Sequence, residues 1–448
     1  MKTHFFLILS LSICFSINAQ FGPQQLISTN GAIDIYPCDL DGDSDIDVVM
    51  ANYGDDTIAW HENLDGQGNF SPRQIISINA DQARTVHAAD LDGDGDLDVI
   101  SGSQADSKIA WYENDGQGNF GSQQIITTSA TSVHDVYGTD IDGDGDMDVL
   151  AAVFGSNTVA WYENTNGFGN FSTAKIISAL EITPYAIYSA DLDGDGDLDV
   201  LCAAWQGNRI TWFENLDGEG NFGSARVISI NTRAAQSVFA EDIDDDGKID
   251  VLFTSLVDNK VAWHRNLDGL GNFGTEQIIT LNANGANCVY AADLGNNGNV
   301  DVLSTSDDGK IAWYKNTDGQ GSFGPQELLT TTNPSSSVYG ADIDGDGDND
   351  VVSGGADIVW FENQHALSIN ENQVVEVSVY PNPVKNKLYL DVHHNSIKNI
   401  NVFDVGGKRL IEKNENATEL NLSQLPKGVY LLEVKTEKGM FTEKIIKE

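Results

Sequence analysis

Residues 90–98 read D-L-D-G-D-G-D-L-D, and versions of this nine-residue segment return along the chain every 49–51 residues. A tryptophan and a phenylalanine recur in phase with the segment, so that each of the three markers occurs seven times. Self-similarity at a fixed period indicates a fold built from one structural unit per period. The markers are Asp39, Asp90, Asp140, Asp191, Asp242, Asp293 and Asp342; Trp60, Trp111, Trp161, Trp212, Trp263, Trp313 and Trp360; and Phe21, Phe70, Phe120, Phe171, Phe222, Phe273 and Phe323.

Each repeat contains four short runs of β-branched and aromatic residues, separated by Gly, Asp and Asn. In residues 85–126 the runs are T-V-H-A-A-D, L-D-V-I-S-G, K-I-A-W-Y-E-N and F-G-S-Q-Q-I-I. Such runs predict short strands, and four antiparallel strands per repeat are typical of a β-propeller blade. We therefore predict an all-β chain with a seven-bladed β-propeller over residues 20–365.

The order of the markers also predicts how the ring closes. A phenylalanine run, F-G-P-Q-Q-L-I-S at residues 21–28, precedes the first aspartate segment, whereas the last repeat ends after Trp360 without such a run. We expect the N-terminal strand to complete the last blade, because this arrangement removes an open sheet edge.

The aspartate segments of six repeats are candidate calcium loops. Carboxylates at alternating positions, with a glycine for a sharp turn, supply the hard oxygen ligands that Ca²⁺ prefers, and they would repel one another without a cation. Positions 1, 3, 5 and 9 would supply carboxylates and position 7 a backbone carbonyl, which explains why a lysine is tolerated there. The candidate residues are Asp39, Asp41, Asp43, Asp45 and Asp47; Asp90, Asp92, Asp94, Asp96 and Asp98; Asp140, Asp142, Asp144, Asp146 and Asp148; Asp191, Asp193, Asp195, Asp197 and Asp199; Asp242, Asp244, Asp246, Lys248 and Asp250; and Asp342, Asp344, Asp346, Asp348 and Asp350.

The sixth repeat departs from this pattern. Its segment from Asp293 to Asp301 reads D-L-G-N-N-G-N-V-D, so the third position has no side-chain ligand and the fifth is a neutral Asn. We predict that this site is weak or empty.

The repeats resemble the FG-GAP repeat family, which includes the propeller of integrin alpha subunits. The resemblance covers residues 21–363 and rests on the D-x-D-G-D-G-x-x-D loops quoted above. It implies structural calcium sites in the turn after the first strand of a blade, in the six intact loops. It says little about the ligand, because one fold can carry unrelated functions.

The composition restricts the partners and the first residues indicate export. A net charge of −44 argues against binding to nucleic acid or to an anionic membrane surface. Residues 1–19 have a Lys, an apolar run and a small residue, Ala19, as in a secretory signal peptide. No other segment approaches the ~20 apolar residues that span a bilayer.

The last part of the chain is predicted to be a separate domain. Residues 366–374 resemble a linker, and residues 375–448 contain alternating strand-like runs that predict a small β-sandwich. The segments Y-P-N-P-V (380–384) and D-V-G-G-K (404–408), with a final K-I-I-K, resemble the type A sorting domain of the type IX secretion system of Bacteroidetes. The resemblance implies passage through that machinery, removal of the domain, and release or attachment at the cell surface.

Ligand residues are predicted at the end of the propeller opposite the aspartate loops. The connections there differ from repeat to repeat, and variable loops on a rigid scaffold commonly bind ligands. Trp205 is outside the sevenfold register and is close in sequence to Arg209, with Tyr185 and Arg233 expected at the same end. These four residues are candidates for binding a sugar ring or an acidic group, with local packing of one irregular blade as the alternative.

Three functions fit these features. The first is a non-enzymatic extracellular module that binds or adheres to a glycan or a protein. The second is a polysaccharide lyase that uses His87 or His134 with Tyr137 and an arginine, although no established catalytic motif is present. The third is a surface scaffold. An inner-strand position is aromatic in six repeats and His87 in the other, as expected for packing between blades or for a channel lining: Tyr36, His87, Tyr137, Tyr188, Phe239, Tyr290 and Tyr339.

Overall fold

The computed structural model describes residues 20–364, 377–392, 397–404, 408–414, 419–436 and 440–448. The expected signal peptide (1–19) and the expected linker (366–374) lie outside the described residues. The chain divides into two compact units at residues 365 and 366.

The first unit contains seven four-stranded antiparallel sheets within residues 20–364, which confirms the predicted repeat fold. Each of blades 1 to 6 uses four consecutive strands. A short 3-10 helix, Phe154–Ser156, lies in the connection between the second and third strands of blade 3. The strands are β1 (Gln25–Ser28), β2 (Asp34–Cys38), β3 (Asp47–Asn52), β4 (Thr57–His61), β5 (Gln74–Ser77), β6 (Ala83–Ala89), β7 (Asp98–Ser103), β8 (Lys108–Tyr112), β9 (Gln124–Thr127), β10 (Val133–Thr139), β11 (Asp148–Val153), β12 (Thr158–Tyr162), β13 (Lys175–Ser178), β14 (Pro184–Ala190), β15 (Asp199–Ala204), β16 (Arg209–Phe213), β17 (Arg226–Ser229), β18 (Ala235–Glu241), β19 (Asp250–Ser255), β20 (Lys260–His264), β21 (Gln277–Thr280), β22 (Ala286–Ala292), β23 (Asp301–Ser306), β24 (Ile311–Tyr314), β25 (Glu327–Thr330), β26 (Ser335–Ala341), β27 (Asp350–Gly355) and β28 (Ile358–Phe361).

Blades 1 to 6 consist, in this order, of β2–β5, β6–β9, β10–β13, β14–β17, β18–β21 and β22–β25. Blade 7 is assembled from both ends of this unit. Strand β1 pairs with β28, with Gln25 opposite Trp360, and the sheet order is β1-β28-β27-β26. Blade 7 also contacts blade 1, because the rings of Tyr36 and Tyr339 lie 5.7 Å apart and Ser337 Oγ accepts the N–H of Ile35 at 3.2 Å. The first and last blades are therefore joined by hydrogen bonds and by side-chain packing.

A buried asparagine links each blade to the preceding one. In blade 3, Asn164 Nδ2 donates to Leu91 O of blade 2 at 2.7 Å and to Met147 O of its own blade at 3.3 Å. Corresponding bonds from the other blades reach the second residue of the preceding aspartate loop. The asparagines are Asn63, Asn114, Asn164, Asn215, Asn266, Asn316 and Asn363, each at most 1% exposed. This Asn recurs in all seven repeats, but its role in joining the blades was not predicted from the sequence.

The blade tryptophans lie in the core between neighbouring sheets. Trp111, for example, is 2% exposed and packs with Val133 and Val149 of the next blade. Its ring also lies against Gly169, in the turn between the third and fourth strands of that blade, which we call the glycine turn. A Cβ on Gly169 would overlap the indole. Glycine is required at this position because φ is +69° and because the tryptophan occupies the space.

The second unit contains two sheets around one core, as predicted for a small β-sandwich. One sheet has the order β29-β30-β33 and the other β32-β31-β34-β35. Buried side chains from both sheets, including Leu388, Leu390, Ile400 and Leu432, form a single cluster. Among the described residues, no helix has the length and apolar character needed to cross a membrane. The strands are β29 (Val377–Tyr380), β30 (Lys387–Val392), β31 (Ile397–Asp404), β32 (Arg409–Asn414), β33 (Glu419–Asn421), β34 (Gly428–Thr436) and β35 (Met440–Lys447).

Candidate functional site

The aspartate loops connect the first and second strands of the blades and are held in shape by their own carboxylates. In blade 2, Asp90 accepts the N–H of Gly93 at 2.8 Å and that of Gly95 at 3.1 Å. Asp94 accepts the N–H of Asp96 at 3.0 Å. These bonds fold the loop back on itself, so that the side chains at positions 1, 3 and 5 converge.

The carboxylate at position 9 holds the loop in place through two hydrogen bonds to backbone N–H groups. Asp98 Oδ2 accepts the N–H of Leu91 at 3.0 Å, and its Oδ1 accepts the N–H of Asn114 at 2.8 Å. The side chain is completely buried, and burial raises the pKa of Asp98 to about 7. Position 9 therefore joins the loop to the end of the third strand.

The loops contain carboxylate oxygens that have no hydrogen-bond partner in the part of the chain that the structure describes. Groups of three aspartates have oxygens within 4.8 Å of one another, from positions 1, 3 and 5 or from positions 1, 3 and 9. A buried carboxylate oxygen without a hydrogen bond is costly unless a cation or water satisfies it. The donor set therefore fits a hard, oxygen-preferring cation. The buried oxygens without a partner belong to Asp41, Asp140, Asp142, Asp193, Asp244, Asp342, Asp344 and Asp348.

The side chain at position 7 has different surroundings. In blade 2, Asp96 lies against Gly116 of the glycine turn, so that a Cβ on that glycine would overlap its carboxylate. Asp45, Asp146 and Asp197 lie in the same way against Gly66, Gly167 and Gly218. In these four blades the carboxylate at position 7 therefore lies beside the turn that follows the third strand, whereas in the seventh loop Asp348 has a buried oxygen without a partner among the described residues.

The inner strands surround a central cavity of about 580 Å³. The seven side chains predicted to pack between blades or to line a channel do both. Each ring contacts the next around the cavity, including Tyr339 to Tyr36, with centroids 4.3–5.7 Å apart. Together these seven side chains form a continuous circle around the cavity: Tyr36, His87, Tyr137, Tyr188, Phe239, Tyr290 and Tyr339.

Polar residues from blades 1 to 4 lie in the same cavity, at the end opposite the aspartate loops. Arg84 donates a hydrogen bond to the hydroxyl of Tyr185, and its guanidinium also lies 5.2 Å from the centre of that ring. His134 stands 4.7 Å from the Tyr185 ring and stacks on Phe154 at 4.2 Å. Asp34 and Asp135 complete what we call the polar mouth: Asp34, Arg84, His134, Asp135 and Tyr185.

The two cavity histidines are neutral at pH 7. Burial lowers the pKa of His87 and of His134 to about 3, and the charge of Arg84 contributes at His134. His87 Nδ1 accepts the N–H of Gly138 at 3.3 Å, which places its proton on Nε2. This Nε2 and His134 Nδ1 are buried without a hydrogen-bond partner among the described residues. The cavity therefore offers unused polar atoms beside aromatic surfaces.

Family models match both units of the chain. The FG-GAP-like repeat matches six times, at residues 39–101, 90–151, 140–202, 191–253, 242–304 and 296–353. These matches together span most of the chain. The chain belongs to the FG-GAP-like repeat family. Residues 378–448 match the secretion system C-terminal sorting domain, so the FG-GAP-like propeller carries the predicted type IX export signal.

Solved structures resemble the FG-GAP-like propeller in fold. A lectin of Agrocybe aegerita, described as recognising non-reducing terminal N-acetylglucosamine, has a TM-score of 0.51 and 19% identity, and the match covers 70% of this chain and 91% of the lectin. BBS1N in complex with ARL6DN has a TM-score of 0.55 and 12% identity over 77% of this chain and 97% of that chain. At these identities the likeness concerns the fold alone. A search of curated protein sequences found no match.

The four ligand residues predicted from sequence do not come together in the FG-GAP-like propeller. Tyr185 lies in the polar mouth. The ring of Phe154 stands between Trp205 and Tyr185, 6.3 Å from the Trp205 ring and 6.5 Å from the Tyr185 ring. Arg209 pairs at 2.9 Å with Glu181, whose side chain is completely buried. Arg233 is exposed and lies 3.5 Å from Asp258. Arg84, which the sequence reasoning missed, takes the place expected for Arg209.

The polar mouth should make stability depend on pH. Burial raises the pKa of Asp135 to about 7 and the charge of Asp34 adds to the rise, although the bond that Asp135 Oδ2 accepts from the N–H of Ile187 at 2.8 Å acts in the opposite direction. The native state then holds a proton that the unfolded state releases near pH 4, so this contribution to stability is lost as the pH rises from 4 to 7. We expect Asp135→Asn to remove roughly 2–4 kcal/mol of that loss, because one pKa unit is worth about 1.4 kcal/mol.

Chemical denaturation between pH 4 and pH 8, in saturating calcium, measures this difference. Asparagine keeps an oxygen that can accept the N–H of Ile187, so the comparison isolates the charge. Equal slopes of unfolding free energy against pH for both proteins would contradict the expectation.

Proposed function

We propose that the protein is a non-enzymatic extracellular glycan-binding module, a calcium-stabilised propeller exported by the type IX system. The polar mouth carries the proposal. The aspartate-loop end repeats almost unchanged around the ring, whereas the inner strands of blades 1 to 4 place different polar groups in one cavity. An end that repeats from blade to blade, opposite an end that varies, is typical of a scaffold with a single binding face.

Calcium is the proposed cation of the aspartate loops. Their oxygen-only ligands, their partnerless carboxylates and the FG-GAP-like repeat match support this assignment. The loops lie at the end opposite the polar mouth. Calcium would therefore hold the blades in register and would have no direct contact with the ligand.

The chemistry of the cavity favours a sugar. Aromatic faces stack on the apolar faces of sugar rings, while carboxylates, amides and a guanidinium bond to hydroxyl groups. Gln236 and Asn287 extend the polar lining into blades 5 and 6. A lectin that shares the fold recognises terminal N-acetylglucosamine, which is compatible with a sugar ligand.

Glycan binding should depend on Arg84. We expect Arg84→Ala to weaken binding at least about ten-fold, because a charge-assisted bond to a ligand contributes on the order of 1.5–3 kcal/mol. The measurement is binding of the full chain to an array of N-acetylglucosamine-containing and uronate-containing polysaccharides in calcium. Arg226→Ala is the control, because Arg226 lies on outer strand β17 and pairs with Glu214. If Arg226→Ala impairs binding and Arg84→Ala does not, the cavity is not the site.

A polysaccharide lyase is the second candidate, favoured by the contact of Arg84 with Tyr185 beside a neutral His134. Arg84 would neutralise a uronate carboxylate and neutral His134 would take the proton from C5. The Tyr185 hydroxyl would donate a proton to the leaving oxygen as the C4–O bond breaks and a C4=C5 double bond forms. The test is ultraviolet absorbance during incubation with the uronate-containing polysaccharides. Growing absorbance, lost in Tyr185→Phe, would establish the lyase, whereas binding without it supports the module.

A further inference from the structure

The fifth and sixth blades differ from the others at one position beside the aspartate loop. The residue before each interblade asparagine is a glutamate in blades 1 to 4 and 7, at Glu62, Glu113, Glu163, Glu214 and Glu362. In blade 5 this residue is Arg265 and in blade 6 it is Lys315. Two neighbouring blades therefore replace an acidic group by a cation at the edge of the loop.

Arg265 reaches into the fifth loop. Its Nε lies 2.6 Å from Asp244 Oδ2 and its Nη2 lies 2.7 Å from Asp246 Oδ2. Lys248 Nζ also contacts Asp246 Oδ2, at 2.7 Å. The side chain of Asp244 is only 2% exposed, so the guanidinium is paired with an almost buried carboxylate.

These contacts occupy oxygens that a metal ion would use. Asp244 and Asp246 are positions 3 and 5 of the loop, and each has one oxygen bonded to a side-chain cation. Arginine stays charged at every relevant pH, so it neutralises the loop permanently. Among the described residues Asp244 Oδ1 has no hydrogen-bond partner, so one oxygen of this carboxylate remains beside the guanidinium.

In the sixth loop, the side chains at positions 7 and 9 have hydrogen-bond partners that differ from those in the other loops. Asp301 Oδ2 accepts the indole N–H of Trp313 at 3.1 Å. In the other six loops the corresponding oxygen accepts the N–H of the second loop residue. Asn299 Nδ2 donates to Asn316 O at 3.3 Å, and Lys315 lies over the Trp313 ring.

We infer that Arg265 and Lys248 replace calcium in the fifth loop, so that tight calcium sites occupy five loops and blades 5 and 6 form a metal-independent arc. The inference differs from the six sites predicted from sequence, where Lys248 was considered harmless. The inference rests on the proposed calcium binding of the other loops. Blade 4 places six carboxylates around its site, whereas blade 5 sets five carboxylates against two cations.

Calcium counting on the full chain tests the inference. Equilibrium dialysis against calcium, at a concentration that just saturates the tight sites, should give five ions per chain. Asp92→Asn in the second loop should lower the count by one, because it removes a ligand, while Asp244→Asn at the same position of the fifth loop should leave it at five. Arg265→Glu combined with Lys248→Asp should raise the count to six.

The outcomes separate the inference from the calcium proposal. A count of zero in the unaltered protein would overturn calcium binding and this inference with it. A count of six, or a loss of one ion in Asp244→Asn, would overturn the inference alone. Arg233→Glu, in the same blade but at the opposite end, controls for the change of charge and should keep the count at five. If the double variant fails to fold, the Asp92→Asn and Asp244→Asn comparison still decides.

Discussion

Removing calcium from the full-length protein is expected to lower the midpoint of thermal unfolding by about 15 °C. At free calcium about 100-fold above the dissociation constant, one site adds about 2.7 kcal/mol to the stability of the folded state, and five such sites add on the order of 10 kcal/mol. With an unfolding entropy of about 2.1 cal/mol/K per residue, a propeller that spans residues 20–364 shifts its midpoint by about 1.4 °C per kcal/mol. Without the cation, converging carboxylates repel one another in every intact loop.

Calorimetry with chelator and with excess calcium measures the shift. Chelator already saturated with calcium is the control and should have no effect. Magnesium should restore less of the stability than calcium, because it favours a rigid octahedral shell and keeps its waters. An unchanged midpoint in the metal-free protein would show that the aspartate loops are not structural metal sites.

Replacing an interblade asparagine is expected to destabilise the propeller strongly. Asn164→Ala should lower the free energy of unfolding by about 2–4 kcal/mol, because Leu91 O and Met147 O would lose their donor in a buried position. The bond to Leu91 O also joins blades 2 and 3, so the loss is not confined to one sheet.

Chemical denaturation in saturating calcium checks this value. Asn170→Ala is the matched control, because Asn170 is an exposed asparagine in the same glycine turn. We expect the control to change stability by less than about 0.5 kcal/mol. Similar losses in the two variants would mean that the bonds between blades contribute little.

The repeat carried most of the information about the fold. A period of about fifty residues with four strand-like runs indicated blades, and the offset between the phenylalanine and tryptophan markers indicated that the first strand belongs with the last blade. Sheet order β1-β28-β27-β26 has that pairing. Such features are readable because each depends on residues close together in the chain.

The candidate site depended on contacts that cross between blades. Arg84 and Tyr185 are 101 residues apart and meet only because their inner strands face one axis. Arg209 has a suitable charge but lies on β16, the third strand of its blade, where it pairs with Glu181. Position along the chain gave no indication of which arginine would face the cavity.

The sequence by itself determined the number of blades, the candidate loops and the sorting domain, because repeats and local turns depend on residues that are close together in the chain. Only the tertiary structure decided how Arg265 and Lys248 meet the fifth loop, which asparagines tie the blades together and which polar groups share the cavity. Hydrogen bonds and ion pairs depend on distance and orientation in space, and a closed ring brings together side chains that the chain separates by fifty residues or more.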